Sequence, residues 1–218
     1  MFASDIGLLT LEPNLFSEVG WSGQRLLSTN GTLSNTTLTL PGTDLAASSI
    51  DAGCVILMSG VPLEVMERLT STTLKVSLVR WGRTGPAIPP VGMTSGLCEV
   101  WTFRPQIAVA HRLVLRLIGV SEGTPPNTRP GSDAQPLGES AVVNSADFTT
   151  LEALLTLHII YAAAGASAPG GSALIPKADQ YRKRGSDERT RMAALIDTDG
   201  DGLADATRRT GIIPLIRV

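Results

Sequence analysis

Cys54-Val-Ile-Leu-Met-Ser59, Leu63-Glu-Val-Met-Glu-Arg-Leu69 and Leu74-Lys-Val-Ser-Leu-Val-Arg80 follow one another closely. Each run is short and β-compatible. The breaks carry turn chemistry: Gly60 with Pro62, then Thr70 to Thr73. Short strands joined this tightly predict an antiparallel meander. Upstream, Gln24–Ser28 and Leu33–Leu40 are rich in Leu and Thr, which suit a pleated, half-buried surface. Asn30-Gly31 between them carries a hairpin signal. Pro41–Ala52 reads as a loop. Downstream, Arg83–Gly96 contains Gly85-Pro86 and Pro89-Pro90 and reads as a long irregular connection. Leu97–Phe103 then alternates, with Trp101 and Phe103 on one face. Six strands in about eighty residues predict a small antiparallel barrel or compact sandwich, the usual ways to manage sheet edges.

Helices flank this module. Asp5–Val19 starts with a short helical turn interrupted at Pro13, where Pro13 and Asn14 open another. Arg104-Pro105 opens a longer helix, because proline is tolerated in a first helical turn. Ile107, Ala110, His111, Val114, Leu117 and Ile118 recur at helical steps, and Gly119 closes the segment. The Pro-, Gly- and Ser-rich stretch Glu122–Gly138 reads as a linker. Beyond it, Thr149-Thr-Leu-Glu152 has capping-box spacing, with Asp147 as another possible cap. Leu151, Leu154, Leu155, Leu157, Ile159, Ile160 and Tyr161 cover most of a helix circumference. A helix apolar nearly all round is buried among others, and neighbouring subunits are expected to supply some of the cover. A last helix is expected over Leu174–Ile196, with Pro176 in its first turn and Leu174, Ala178, Tyr181, Gly185, Met192 and Leu195 as its buried line. The fold class is therefore α+β: an N-terminal small antiparallel β-barrel or sandwich followed by a helix, then a C-terminal helical domain with an extended apolar tail. The expected division is residues 1–120, a linker at 121–138, and residues 139–218.

After the last helix comes Asp197-Thr-Asp199-Gly-Asp201-Gly-Leu203-Ala-Asp205. Carboxylates at this spacing can point into one shared space, and a hard cation such as Ca2+ wants six to eight oxygens. Gly202 falls where a calcium loop of the EF-hand kind needs a sharp turn, and Leu203 where a backbone carbonyl serves as ligand. Asp197, Asp199, Asp201, Leu203 and Asp205 are thus the candidate ligands for a weak structural Ca2+. Position twelve departs from the pattern: it should be a bidentate Glu and is Arg208. The competing reading is a plain turn that Arg208 and Arg209 neutralise without metal. The residues Ile212-Ile213-Pro214-Leu215-Ile216-Arg217-Val218 are apolar and too few for a core. They are candidate partner-binding residues, adding to another chain's sheet edge, filling a neighbour's groove, or packing back on their own helices.

The 218 residues are 43% hydrophobic and 17% charged, enough for a packed core. Aromatics at 4% argue against a stacking platform for single-stranded nucleic acid, and a net charge of −2 against a general nucleic-acid footprint. The basic run Arg182-Lys183-Arg184 reads as a solvated helix face, or as a contact for an acidic partner or DNA. Cys54 and Cys98 lie in apolar runs and read as buried small hydrophobes in a reducing compartment. Met1–Thr10 lacks the basic start of a leader, and no uninterrupted apolar stretch reaches membrane-spanning length, so no membrane association is expected. His111 and His158 read as hydrogen-bonded core residues. No nucleophile–base set, phosphate loop, dinucleotide fingerprint or zinc spacing is present. Glu64 and Glu67 are the nearest thing to a carboxylate pair, and nothing else converges on them. An enzyme is not expected.

Tyr181-Arg182-Lys183-Arg184, Asp187-Glu188-Arg189, the Ile196–Asp205 loop, Arg208-Arg209 and the Ile216-Arg217-Val218 end, taken in that order, resemble head–tail connector (adaptor or neck) proteins of tailed bacteriophages. Leu11-Glu12-Pro13-Asn14-Leu15-Phe16 and His111-Arg112-Leu113 are similar to the same group. Gly185 departs from the pattern, which expects a large residue. The resemblance implies a structural virion protein of the neck, made in the host cytoplasm and forming a ring under the portal, commonly a homododecamer. Its implied partners are the portal protein, neighbouring copies of itself, the next neck or tail ring protein, and non-specific DNA passing through the channel. Two alternatives stand beside it: a calcium-binding interaction module with a dockerin-like Asp loop, and another neck or tail-completion protein.

Overall fold

The computed structural model describes residues 1–21, 24–80, 85–121, 137–167 and 173–210. It is a mixed α+β chain of two units, Ser4–Pro105 and Met1–Ala3 with Gln106–Val218.

The first unit opens with α1 (Asp5–Leu11), capped by Ser4, whose hydroxyl accepts the Gly7 N–H at 3.3 Å. It stops before Pro13, which disfavours helix in the residue preceding it. Asn14 precedes a single further turn, α2 (Leu15–Glu18). Six strands follow: β1 (Arg25–Ser34), β2 (Thr37–Thr39), β3 (Val55–Met58), β4 (Val61–Arg68), β5 (Thr73–Leu78) and β6 (Met93–Trp101). They close an antiparallel barrel in the order β1-β2-β5-β4-β3-β6, with β6 pairing back onto β1. Alternating residues fill the interior: Leu33, Leu38, Ile56, Met58, Leu63, Val65, Leu74, Val76, Cys98 and Val100. Both cysteines are buried thiols. Closure pairs the edges that an open sheet would leave exposed.

One turn is misplaced by the sequence reading. β1 runs straight through Asn30-Gly31, and the chain reverses at Asn35 (φ 55°), between the paired residues Ser34 and Thr37. Asn tolerates that left-handed conformation. Gly31 instead answers a packing demand. A Cβ there would meet Leu40 Cδ2 at 2.5 Å, Cys98 Sγ at 2.9 Å and the Thr39 carbonyl at 3.1 Å. The expected turn at Gly60 does form, with Ser59 and Gly60 both at positive φ between the paired Met58 and Val61, the geometry that matches strand twist.

The second unit holds most of α3 (Arg104–Ile118), then α4 (Thr149–Ser167), α5 (Leu174–Arg191) and a hairpin of β7 (Ala193–Ile196) and β8 (Ala206–Arg209). The expected division at residues 121–138 is displaced to Pro105/Gln106. The reason is packing: α3 buries Val114, Leu115 and Ile118 in one cluster with Phe148, Leu151, Ala194 and Ile196. Residues 122–136 of the expected linker lie outside the described residues.

The chain itself supplies most of the cover of α4: Leu151, Leu154, Leu157, Ile160 and Tyr161 are buried, while Leu155 and Ile159 are half-buried. Ser145–Ser167 is long and apolar enough to cross a bilayer, yet 61% of its apolar window is buried in the protein, the pattern of a core helix. The last helix ends at Arg191, and the C-terminal half is not all helical. Ala194 and Ile196 point inward as β7, Leu195 points out, and β8 pairs along it. The buried line of α5 is Ala178, Tyr181 and Gly185, with Tyr181 stacked on Tyr161 at 5.7 Å. Gly185 faces Leu155 Cδ2, which a Cβ would meet at 3.6 Å, ordinary contact distance.

These two glycines give a paired prediction. Gly31→Ala should lower unfolding stability by about 1–3 kcal/mol through overpacking. Gly185→Ala should be neutral or raise it by up to about 1 kcal/mol through helix propensity. Urea unfolding of both variants checks the contrast.

Candidate functional site

Two polar constellations stand out in the second unit. The first is the aspartate loop, which forms the tip of the β7–β8 hairpin, closed by the pairing of Ile196 with Ala206. A strand, β7, precedes the loop where the last helix was expected to run to Ile196, and β8 follows it. The loop is shaped by its own carboxylates. Asp197 Oδ1 accepts the N–H groups of Asp199 (3.2 Å) and Gly200 (2.6 Å), and Oδ2 accepts that of Gly202 (2.7 Å). Gly200 and Gly202 both take positive φ. Asp205 Oδ2 accepts the N–H and the hydroxyl of Thr198, each at 2.8 Å. Asp199 accepts from Asp201 N–H, and Asp201 from Leu203 N–H at 2.7 Å.

Hydrogen bonds to the charged form lower a carboxyl pKa. The N–H groups of Gly200 and Gly202 hold Asp197 below the usual carboxylate range, and the Thr198 N–H and hydroxyl do the same for Asp205. Of the four candidate aspartates, the fold brings three together: one carboxylate oxygen each from Asp197, Asp199 and Asp205 lie within 4.8 Å of one another, and Asp201 is not in that group. Leu203, the candidate that would ligate through its backbone carbonyl, has an exposed side chain. Arg208, expected to neutralise the loop, is engaged elsewhere. Its Nη1 donates to the carbonyls of Ile118 (2.9 Å) and Gly119 (2.7 Å) at the C-terminal end of α3. The other candidate site residues, Ile212 to Val218, lie outside the described residues.

The second constellation is centred on Glu152, fully buried in α4. The expected capping box does not form, because this carboxylate serves a different set of donors. Oε1 accepts the N–H groups of Phe2 (3.1 Å) and Ala3 (3.0 Å), and Oε2 lies 2.8 Å from His111 Nδ1. The Thr149 hydroxyl bonds the Phe2 carbonyl. His111 is a hydrogen-bonded core residue, as its place on the α3 stripe suggested. Its Nε2 lies 3.2 Å from Glu139 Oε2, an ion-pair distance without hydrogen-bond alignment. The Phe2 ring meets the imidazole edge to face at 4.8 Å. Glu139 also accepts from the α-amino group of Met1 at 3.1 Å. Burial pushes the Glu139 carboxyl up, but the α-amino group and His111 outweigh it and hold it below its ordinary value. The sequence reading missed Glu139 and Glu152 because both meet His111 only through tertiary folding. The other histidine, His158, bonds the Ala178 carbonyl across the α4–α5 pair at 3.0 Å. Glu64, the other carboxylate considered, is ion-paired with Arg80 in the barrel.

Two outcomes follow. Asp197→Ala removes the acceptor for three loop N–H groups, so amide exchange at Gly200 and Gly202 should accelerate while exchange in α4 stays unchanged. Glu139 has a lowered pKa in the folded state. Its contribution to stability is therefore present above the ordinary glutamate pKa of 4.5 and lost as pH falls through the lowered value. Urea midpoints measured across that acid range should fall less steeply for Glu139→Gln than for the parent.

No protein-family model, curated protein or solved structure matches the chain. The functional reading rests on the residues themselves.

Proposed function

We propose that the chain is a structural head-to-tail adaptor that assembles into a ring under a phage portal and joins capsid to tail while DNA passes through. The resemblance of Tyr181–Asp205, Arg208-Arg209 and the N-terminal Leu11–Phe16 segment to connector proteins supports this reading. The structural observation that carries it is the apolar rim of the barrel. Val61 and Val91 are exposed, Val91 to 90%. A cavity of about 160 Å³ opens among Leu33, Met58, Val61, Leu63, Leu78, Pro90, Val91 and Met93. Clustered apolar groups left in water mark a surface that another protein covers. In an adaptor, that cover is the portal, the next ring or a neighbouring copy. α4 does not count toward the reading, since its own chain supplies most of its cover.

The second reading, a calcium-binding interaction module, is favoured by one observation: the three convergent oxygens of Asp197, Asp199 and Asp205. Three carboxylates fall short of the six to eight oxygens calcium takes, so waters or backbone carbonyls would complete the shell.

Light scattering of the purified protein, alone and mixed with a portal ring, separates the two. The adaptor reading expects a closed ring or a complex of about twelve copies per portal. A monomer that ignores the portal and melts at a higher temperature with calcium would replace it with the calcium module.

A further inference from the structure

On the exposed side of α3, Arg112 and Arg116 stand one turn apart, and with Leu115, Val120 and Ser121 they line a depression of about 230 Å³. Among the described residues neither arginine has an ion-pair or hydrogen-bond partner. Like charges at this helical spacing repel each other. The ordinary task of cations near a helix C-terminus is to meet its unpaired carbonyls. Here Arg208 performs that task, donating to Ile118 and Gly119 from β8. Among the described residues, Arg112 and Arg116 are left without an intramolecular partner. The same contact shields the negative end of the α3 dipole, so an anion in the depression would not face bare carbonyls.

We propose that this depression binds a single phosphate group between the Arg112 and Arg116 guanidiniums, with the Ser121 hydroxyl as an additional donor. Guanidinium meets phosphate oxygens in planar, two-pronged hydrogen bonds that lysine does not reproduce, and a phosphate has enough oxygens to engage both arginines at once. The volume lies below the roughly 300 Å³ at which pockets for whole organic ligands begin, so the site takes one small anion or one phosphate of a polymer. The net charge of −2 makes this a local site on a chain that otherwise repels polyanions. The group is either free phosphate or a phosphodiester of a nucleic-acid backbone. The inference does not depend on the ring reading, since it concerns the isolated chain.

The test is a titration of the full chain followed by NMR of the arginine Nε–Hε signals. One arm adds inorganic phosphate, a second adds a short DNA duplex, and a third adds sodium chloride at matched ionic strength. The signals of Arg112 and Arg116 should move saturably with phosphate or duplex and not with chloride. Arg112→Gln/Arg116→Gln should weaken the response of the Ser121 amide at least tenfold, with an unchanged melting curve because both side chains are exposed. A response to phosphate supports a free-phosphate site; a response to the duplex alone supports a backbone contact, with the salt slope reduced by about two in the double variant. Equal shifts in all three arms, or no shift in any, would overturn the proposal.

Discussion

The helical unit turns on one buried carboxylate. Moving a charged group out of water costs several kcal/mol unless donors replace the lost hydration. Glu152 is placed in the most apolar helix of the chain, and its replacement donors come from two other elements: the N–H groups of Phe2 and Ala3, and the imidazole of His111 on α3. The chain start, α3 and α4 are thereby fixed to one point by directional bonds, where greasy contacts alone would let the helices slide. Phe2 follows as a consequence. Once its N–H is held, its ring lies against His111 and Phe148.

The barrel unit uses the same device at smaller scale. Asp5, the first residue of α1, is buried and accepts the Phe103 N–H at 2.7 Å and the Thr102 hydroxyl at 2.8 Å. Burial pushes its pKa up, against the lowering effect of those bonds. The carboxylate thus ties α1 to the chain leaving β6, and Phe16 closes over Phe103 at 5.1 Å. In each unit a hydrophobic core supplies bulk stability, and one acid chosen by its donors supplies the geometry.

The barrel was legible because its signal is local: alternation within each run, and turn residues between runs. The misplacement at Asn30-Gly31 arose because glycine has two uses, and only the barrel interior, with Leu40 and Cys98 pressing on that backbone, shows which one applies. β7 was hidden for a different reason. Ala193-Ala-Leu-Ile continues a helical pattern comfortably, and its strand identity comes from β8 and from the bridge of Ile196 to Val142. The aspartate spacing placed four carboxylates in one space; in the hairpin tip Asp197, Asp199 and Asp205 lie together and Asp201 does not, because alternation along the loop is not the same as convergence. The His111 cluster was invisible, since Glu152 lies 41 residues away in sequence and nothing local announces the meeting.

The closed barrel has a cost that its static picture hides. β3, β4 and β5 pair across connections of a few residues, but the ring is completed only where Thr29 lies opposite Cys98 and Ser28 opposite Glu99. Bringing such distant segments together spends chain entropy before any contact repays it, and non-local pairings of this kind slow folding. Until that seam forms, the chain carries two unpaired edges and an open core. The rate at which the last strand finds the first therefore governs how long a newly made copy remains vulnerable to association with the wrong neighbour.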